Sequence, residues 1–161
     1  MAVGSASWSF TEEDFGAITQ TLQRFLHETN ARCALLVDRS GQLVATVGEQ
    51  PTFDPTAFAT LTAADFSAND QLAKLIGESD FNSLFHQGEK ESMYLADIAR
   101  RVILVALFDN RTTLGLVRLK IKDTVIELTK LFHEVFTRGK AAASQPGLLA
   151  GADDEIDNLF R

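Results

Sequence analysis

The run RVILVALF, residues 101–108, is apolar at every position after its first. Successive side chains of a strand point to opposite faces, so a strand that is apolar throughout has to be covered on both. This predicts a central strand in a small sheet with helices packed on each side.

The rest of the chain supplies such parts. Thr11 can cap a first helix with Asp14 at its third position, and Phe10 and Phe15 are spaced as a hydrophobic staple. Ile18, Leu22, Phe25 and Leu26 give that helix an apolar face. ARCALLVD and QLVATVG read as strands over 32–38 and 42–48, joined at Arg39-Ser40-Gly41 as a hairpin. Asp54-Pro55 is a cap followed by proline at the first helical position, opening a middle helix that runs to about Ile76 and stops at Gly77. LFHQG and ESMYLADI are two further strands before the central one. Thr112 or Thr113 opens a last helix with Leu114, Val117, Ile121, Val125, Leu128, Phe132 and Val135 inward, closing at Arg138-Gly139. The order helix, two strands, helix, three strands, helix implies one five-stranded sheet with helices on both faces.

The 161 residues, 45% of them hydrophobic, suffice for one domain with a core. The balance of 15 Lys and Arg against 22 Asp and Glu disfavours a nucleic-acid or anionic-membrane surface. A single cysteine excludes an internal disulfide and any multi-cysteine zinc site. The start MAVGSASWSF has neither the basic nor the apolar region of a secretory signal, so a cytosolic protein is expected.

Two segments look built for contact. In the middle helix Phe58, Leu61, Ala68, Leu72, Leu75 and Ile76 can serve a core, while Ala57, Thr60, Ala64, Ser67 and Gln71 form a face of small side chains. That face reads either as plain helix propensity or as a surface that a second copy or a partner approaches closely. Asp65 interrupts the apolar row, as suits an interface rim. At the other end, residues 140–152 are rich in Ala, Ser, Gly and Pro and read as a flexible linker. Beyond it DDEIDNLFR, read as a helix, puts Ile156, Leu159 and Phe160 on one side and its acidic residues in the first turn. Isolated helices shorter than about 12–15 residues are marginal in water, so this one needs a surface, its own domain's or a partner's.

A search for chemistry finds little. There is no P-loop, no G-x-G-x-x-G and no G-x-S-x-G. His27, His86 and His133 lie in different elements without metal-ligand spacing, and Cys33 reads as a small hydrophobe inside a strand. Acidic pairs at 12–13 and 153–154 complement helix dipoles. Arg100-Arg101 and Arg111 are candidates for an arginine finger acting on a bound GTPase.

Several segments together resemble the roadblock/dynein-light-chain superfamily, and within it the MglB-like GTPase-activating proteins, regulators of the Ras-like GTPase MglA. They are LLVDRSGQLVA (35–45), LTAADFSANDQLAKLIGE (61–78), FHQGEKESMYL (85–95), VILVALFDNRTTLGLVRLKIK (102–122) and DDEIDNLF (153–160). The resemblance implies an α/β roadblock fold, a five-stranded, mostly antiparallel sheet with one helix on one face and two on the other. It implies a roadblock domain over 1–138 with about the first nine residues disordered, a linker over 139–152 and a partner-binding helix over 153–161. It further implies a homodimer in which the middle helices pair and the third strands join the two sheets, two subunits per MglA-like GTPase, and a place at a cell pole in polarity and gliding motility. Carried over residue by residue, the GTPase contact is Ala64, Ser67, Ala68 and Gln71, and the tail contact is Ile156, Leu159 and Phe160. No catalytic residue, metal or cofactor is implied on this chain, since GTP and magnesium belong to the partner. The family is thought to act by reshaping the GTPase rather than by an arginine finger. Two other readings stay open at this point: a non-activating adaptor of the same fold, and a small-molecule sensor using the space between sheet and helices.

Overall fold

The computed structural model of the chain describes residues 10–143. Its elements are α1 (Glu12–Thr29), β1 (Cys33–Asp38), β2 (Leu43–Gly48), α2 (Pro55–Leu75), β3 (Ser83–Gln87), β4 (Ser92–Ile98), β5 (Val102–Phe108) and α3 (Leu114–Ala143). The strands form one sheet in the order β2-β1-β5-β4-β3, with every neighbouring pair antiparallel.

The apolar run is the middle strand, as its composition requires. β5 pairs with β1 and β4 at once, Val105 lying opposite both Leu35 and Leu95. Its alternate residues feed two separate cores. Val102, Leu104, Ala106 and Phe108 join Ile18, Leu22 and Phe25 of α1 and Val117, Ile121, Leu128 and Phe132 of α3. Ile103 and Val105 join Leu35, Val37, Leu95 and, from α2, Ala59 and Phe66. Two helices thus cover one face and a single helix covers the other.

Local chemistry sets the element ends. The Thr11 hydroxyl accepts from the Asp14 N–H at 3.1 Å and the Asp14 carboxylate accepts from the Thr11 N–H at 2.9 Å, a reciprocal cap on α1. The expected staple is redrawn: Phe10 packs edge-on against Phe132 of α3, ring centroids 5.6 Å apart, and Phe15 stays 47% exposed. A distant aromatic offers Phe10 more buried area than a neighbour on its own helix. Asp54 accepts from the Thr56 N–H at 3.0 Å with Pro55 behind it, and Gly77 takes φ +87° just past α2. Thr113 accepts from the Leu116 N–H at 3.2 Å at the start of α3. That helix does not close at Arg138-Gly139 but runs on to Ala143. One glycine costs a helix only about 1 kcal/mol relative to alanine, too little to stop it when three alanines follow. No helix among the described residues is long and apolar enough to cross a membrane. The expectations for residues 1–9, for most of the linker and for the terminal segment with Ile156, Leu159 and Phe160 lie outside the described residues.

Candidate partner-binding face

α2 sits on the sheet the opposite way round from its large apolar side chains. Its buried residues are Ala59, Thr62, Ala63, Phe66, Asn69 and Ala73, so Phe66 is the one large hydrophobe it commits to the core. The expected core row faces out instead: Leu61 is 69% exposed, Leu72 57%, Leu75 83% and Ile76 70%, and Ala68 is exposed with them. Only Phe58 of that row is half-buried. The reason is steric. Small inner side chains let the helix lie close on β1 and β2, and a helix that close cannot turn leucines inward.

The small-residue set has the exposure expected of it, with Ala57, Thr60, Ala64, Ser67 and Gln71 all outside. At 3.6 residues per turn the outward surface divides. Ala57, Ala64, Ala68 and Leu75 follow its crest. Leu61, Asp65 and Leu72 fall on one flank, and Thr60, Ser67 and Gln71 on the other. Contacts orient the flanks. The Asp65 carboxylate lies 2.6 Å from His86 Nε2 of β3, so the leucine flank leans toward the sheet edge. Gly41 in the β1–β2 turn comes so close to Thr60 that a Cβ there would stand 3.4 Å from the Thr60 Cα, so the other flank leans toward that hairpin. β3 is the end strand of the sheet, which leaves one of its edges open beside the leucine flank.

The arginines considered as fingers are engaged elsewhere. Arg111 bonds to Asp109 and Glu49 at 3.0 Å each, and Arg32 bonds to Glu49 and Glu91. The hydrogen bonds from Arg32 and then Arg111 hold the Glu49 carboxyl below its ordinary value, and those from Arg111 do the same for Asp109. Arg101 stacks over the Phe136 ring at 4.4 Å, and Arg100 pairs with Asp80 at 3.0 Å. Arg39, which spacing gave no reason to single out, proves central beneath α2. Its guanidinium reaches Asp70 of α2 and Asp97 of β4 at 2.5 Å each and stacks over Phe66 at 4.7 Å. Only the folded chain brings those four residues together, so spacing could not have found them.

The other candidates are not brought together into one cluster among the described residues. Cys33 is buried, and burial pushes its thiol up to about 11, which keeps it protonated and unreactive near neutrality. His27, His86 and His133 are exposed. Among the described residues no group of three His, Cys, Asp or Glu side chains could hold a metal ion. An open groove of about 560 Å³ lies at the end of the sheet among Phe85, Gln87, Phe108, Asp109 and Leu114, not in the layers between sheet and helices where a sensor ligand was expected.

Comparison with known proteins accords with this architecture. The Roadblock/LC7 domain model matches residues 17–108. MglB of Myxococcus xanthus is 46% identical over 74% of this chain and 98% of its own, with a TM-score of 0.72. The gliding protein MglB of Thermus thermophilus is 32% identical over 81% of this chain and 98% of its own, with a TM-score of 0.75. An MglB structure with a tetrameric arrangement gives 32% identity, the same two coverages and a TM-score of 0.76. No curated protein matches the sequence.

Proposed function

The chain belongs to the Roadblock/LC7 family as an MglB-like member, and on that premise we propose that it activates GTP hydrolysis by a Ras-like GTPase of the MglA type, acting as a homodimer. The observation that carries the reading is the outward apolar surface of α2. A helix with three leucines more than half exposed, and Ile76 likewise at its C-terminal cap, is stable in water only at a cost that a partner surface removes.

The two flanks divide the work. Leu61 and Leu72, beside the open edge of β3, form the self-association side, where a second copy continues the sheet strand to strand and covers the leucines. Ala64 and Ala68 on the crest, with Ser67 and Gln71 on the hairpin flank, form the GTPase side, where small side chains admit another backbone. The chain contributes shape and no reacting group. Its candidate arginines are held in ion pairs or stacked on an aromatic ring, which supports activation by repositioning the partner's own water-orienting groups rather than by a finger. Ile156, Leu159 and Phe160 make a second, tethered contact on the GTPase. A flexible linker with a reach on the order of 20 Å would raise affinity through effective concentration. In this reading the tail also influences nucleotide exchange, and the protein works in cell polarity and motility from a cell pole.

The test is GTP turnover by an MglA-like GTPase with increasing amounts of the full chain, of Arg111→Ala and of a chain lacking residues 153–161. Stimulation that survives Arg111→Ala supports the proposal. Binding without stimulation makes the protein an adaptor. Unchanged binding and turnover after the truncation refutes the role of the tail.

A further inference from the structure

We propose that Arg39 is a positioning residue, a clamp that holds α2 against the sheet at the angle its outward face needs to engage a GTPase. The inference rests on the reading of that face given above.

α2 has the smallest apolar anchorage of the three helices. α1 and α3 bury Ile18, Leu22, Phe25, Val117, Ile121, Leu128 and Phe132 in one shared core, whereas α2 fully buries a single phenylalanine and three alanines, with Phe58 half-buried beside them. Apolar burial is also non-directional and leaves a helix resting on small side chains free to slide or roll. A polar clamp supplies what is missing, because hydrogen-bonded ion pairs are directional. Arg39 lies just beyond the end of β1, its own N–H donating to the Arg101 carbonyl at 3.0 Å, so the backbone that carries it is tied to the start of β5. From there its two terminal nitrogens reach in different directions, Nη1 to Asp70 on α2 and Nη2 to Asp97 on β4. Its flat face covers the Phe66 ring. Asp97 is itself fixed, since its second oxygen accepts from the Arg100 N–H at 3.2 Å. All three charged side chains are more than seven-tenths buried, with exposures of 26, 25 and 18% for Arg39, Asp70 and Asp97, so water screens the pairs less than it would on the surface.

Removing the guanidinium does two things at once. It frees α2 from β4, and it leaves two carboxylates on either side of an empty space with nothing between them to offset their like charge. The helix then rests elsewhere and opens more often, while α1 and α3, on the other face of the sheet, keep their packing. A lysine at the same position keeps the charge but is a compact point donor, suited to one carboxylate rather than to both.

The experiment pairs amide hydrogen exchange with GTPase stimulation, on the full chain and on Arg39→Met and Arg39→Lys. In Arg39→Met the amides of α2 are expected to exchange roughly ten- to hundredfold faster while those of α1 and α3 change less than about twofold, the latter being the check that the domain is folded. Maximal GTP turnover at saturating variant is expected to fall at least about threefold, with Arg39→Lys between the variant and the wild type in both readouts. A role in folding alone would reduce only the active fraction, and adding more protein would restore the plateau. Unchanged exchange in α2 overturns the clamp whether or not the chain acts on a GTPase. Faster exchange with an unchanged plateau overturns the positioning role. Wild-type chain that gives no stimulation refutes the underlying reading and the positioning role with it, while the exchange data still decide whether the clamp exists.

Discussion

Phe66→Ala should detach the helix that carries the proposed interface. The ring is fully buried against Leu35, Val37, Leu95, Ile103 and Val105 and lies under the Arg39 guanidinium. Exposing a buried phenylalanine costs about 2–3 kcal/mol in transfer free energy. The space it leaves adds about 1–2 kcal/mol, because neighbours held by the sheet collapse only in part. The lost cation–π contact contributes about 0.5–1 kcal/mol. Together these come to about 3.5–6 kcal/mol, which overlaps the range of about 3–5 usual for such a truncation, and about 4 kcal/mol is the loss expected here. With a urea dependence of about 2 kcal/mol per molar, reasonable for a domain of this size, the unfolding midpoint should drop by about 2 M. Measured at a protein concentration low enough to keep the chain monomeric, where its proposed self-association side is uncovered, Leu72→Ala removes a side chain that is 57% exposed and should cost less than about 0.5 kcal/mol, a midpoint shift of about 0.2 M. Urea titration followed by circular dichroism measures both. A Phe66→Ala shift below about 0.5 M, or a larger shift for Leu72→Ala than for Phe66→Ala, would refute the orientation assigned to α2.

Other outcomes follow from single features of the fold. The β4–β5 turn places Ala99 at φ +53° and Arg100 at φ +60°, where asparagine and glycine are at ease. Ala99→Asn should therefore raise stability by about 0.5–1 kcal/mol, or a melting temperature increase of about 2–3 °C, and a decrease would contradict the strain argument. Cys33, its thiol raised to about 11, should resist alkylation at pH 8 in the native state and react on unfolding; stoichiometric labelling of native protein within minutes would count against its burial. Glu49 and Asp109 titrate below their ordinary values of 4.5 and 3.8 because Arg32 and Arg111 donate to the first and Arg111 to the second. Their contribution to stability is thus complete above about pH 5 and is lost as pH falls below those ordinary values through the lower folded ones. Arg111→Ala should flatten that acid dependence, and acid denaturation curves identical to wild type would rule the coupling out.

The sheet was legible because its signals are local. A strand apolar on both faces must be central, and Asp54-Pro55, Gly77 and the Thr11/Asp14 cap place helix ends through side chains a few residues apart. The orientation of α2 was not legible, because polar and apolar side chains are mixed on every side of the helix, Thr62 and Asn69 lying on the buried side and Leu61 and Leu72 on the outer one. Spacing alone cannot tell which stripe faces the sheet, and preferring the large side chains for the core chose the outer one. What decided it was close approach, which depends on the sheet beneath. Ion pairs such as Arg39 with Asp97 and Arg111 with Glu49 join residues about 60 apart in sequence, beyond anything a local pattern carries. Ala64, Ser67, Ala68 and Gln71 are exposed, which is common to both readings that the periodicity of the helix left open, plain helix propensity and a contact face.

The most direct test places a charge on the crest of α2. Ala64 is exposed, so Ala64→Arg should leave the melting temperature within about 2 °C of wild type. Gln20→Arg puts the same charge on the exposed side of α1, across the sheet, and serves as its control. With an MglA-like GTPase, wild type and Gln20→Arg should stimulate GTP turnover equally, and Ala64→Arg should abolish stimulation and complex formation. Full stimulation by a folded Ala64→Arg chain would contradict the assignment of this face to the GTPase.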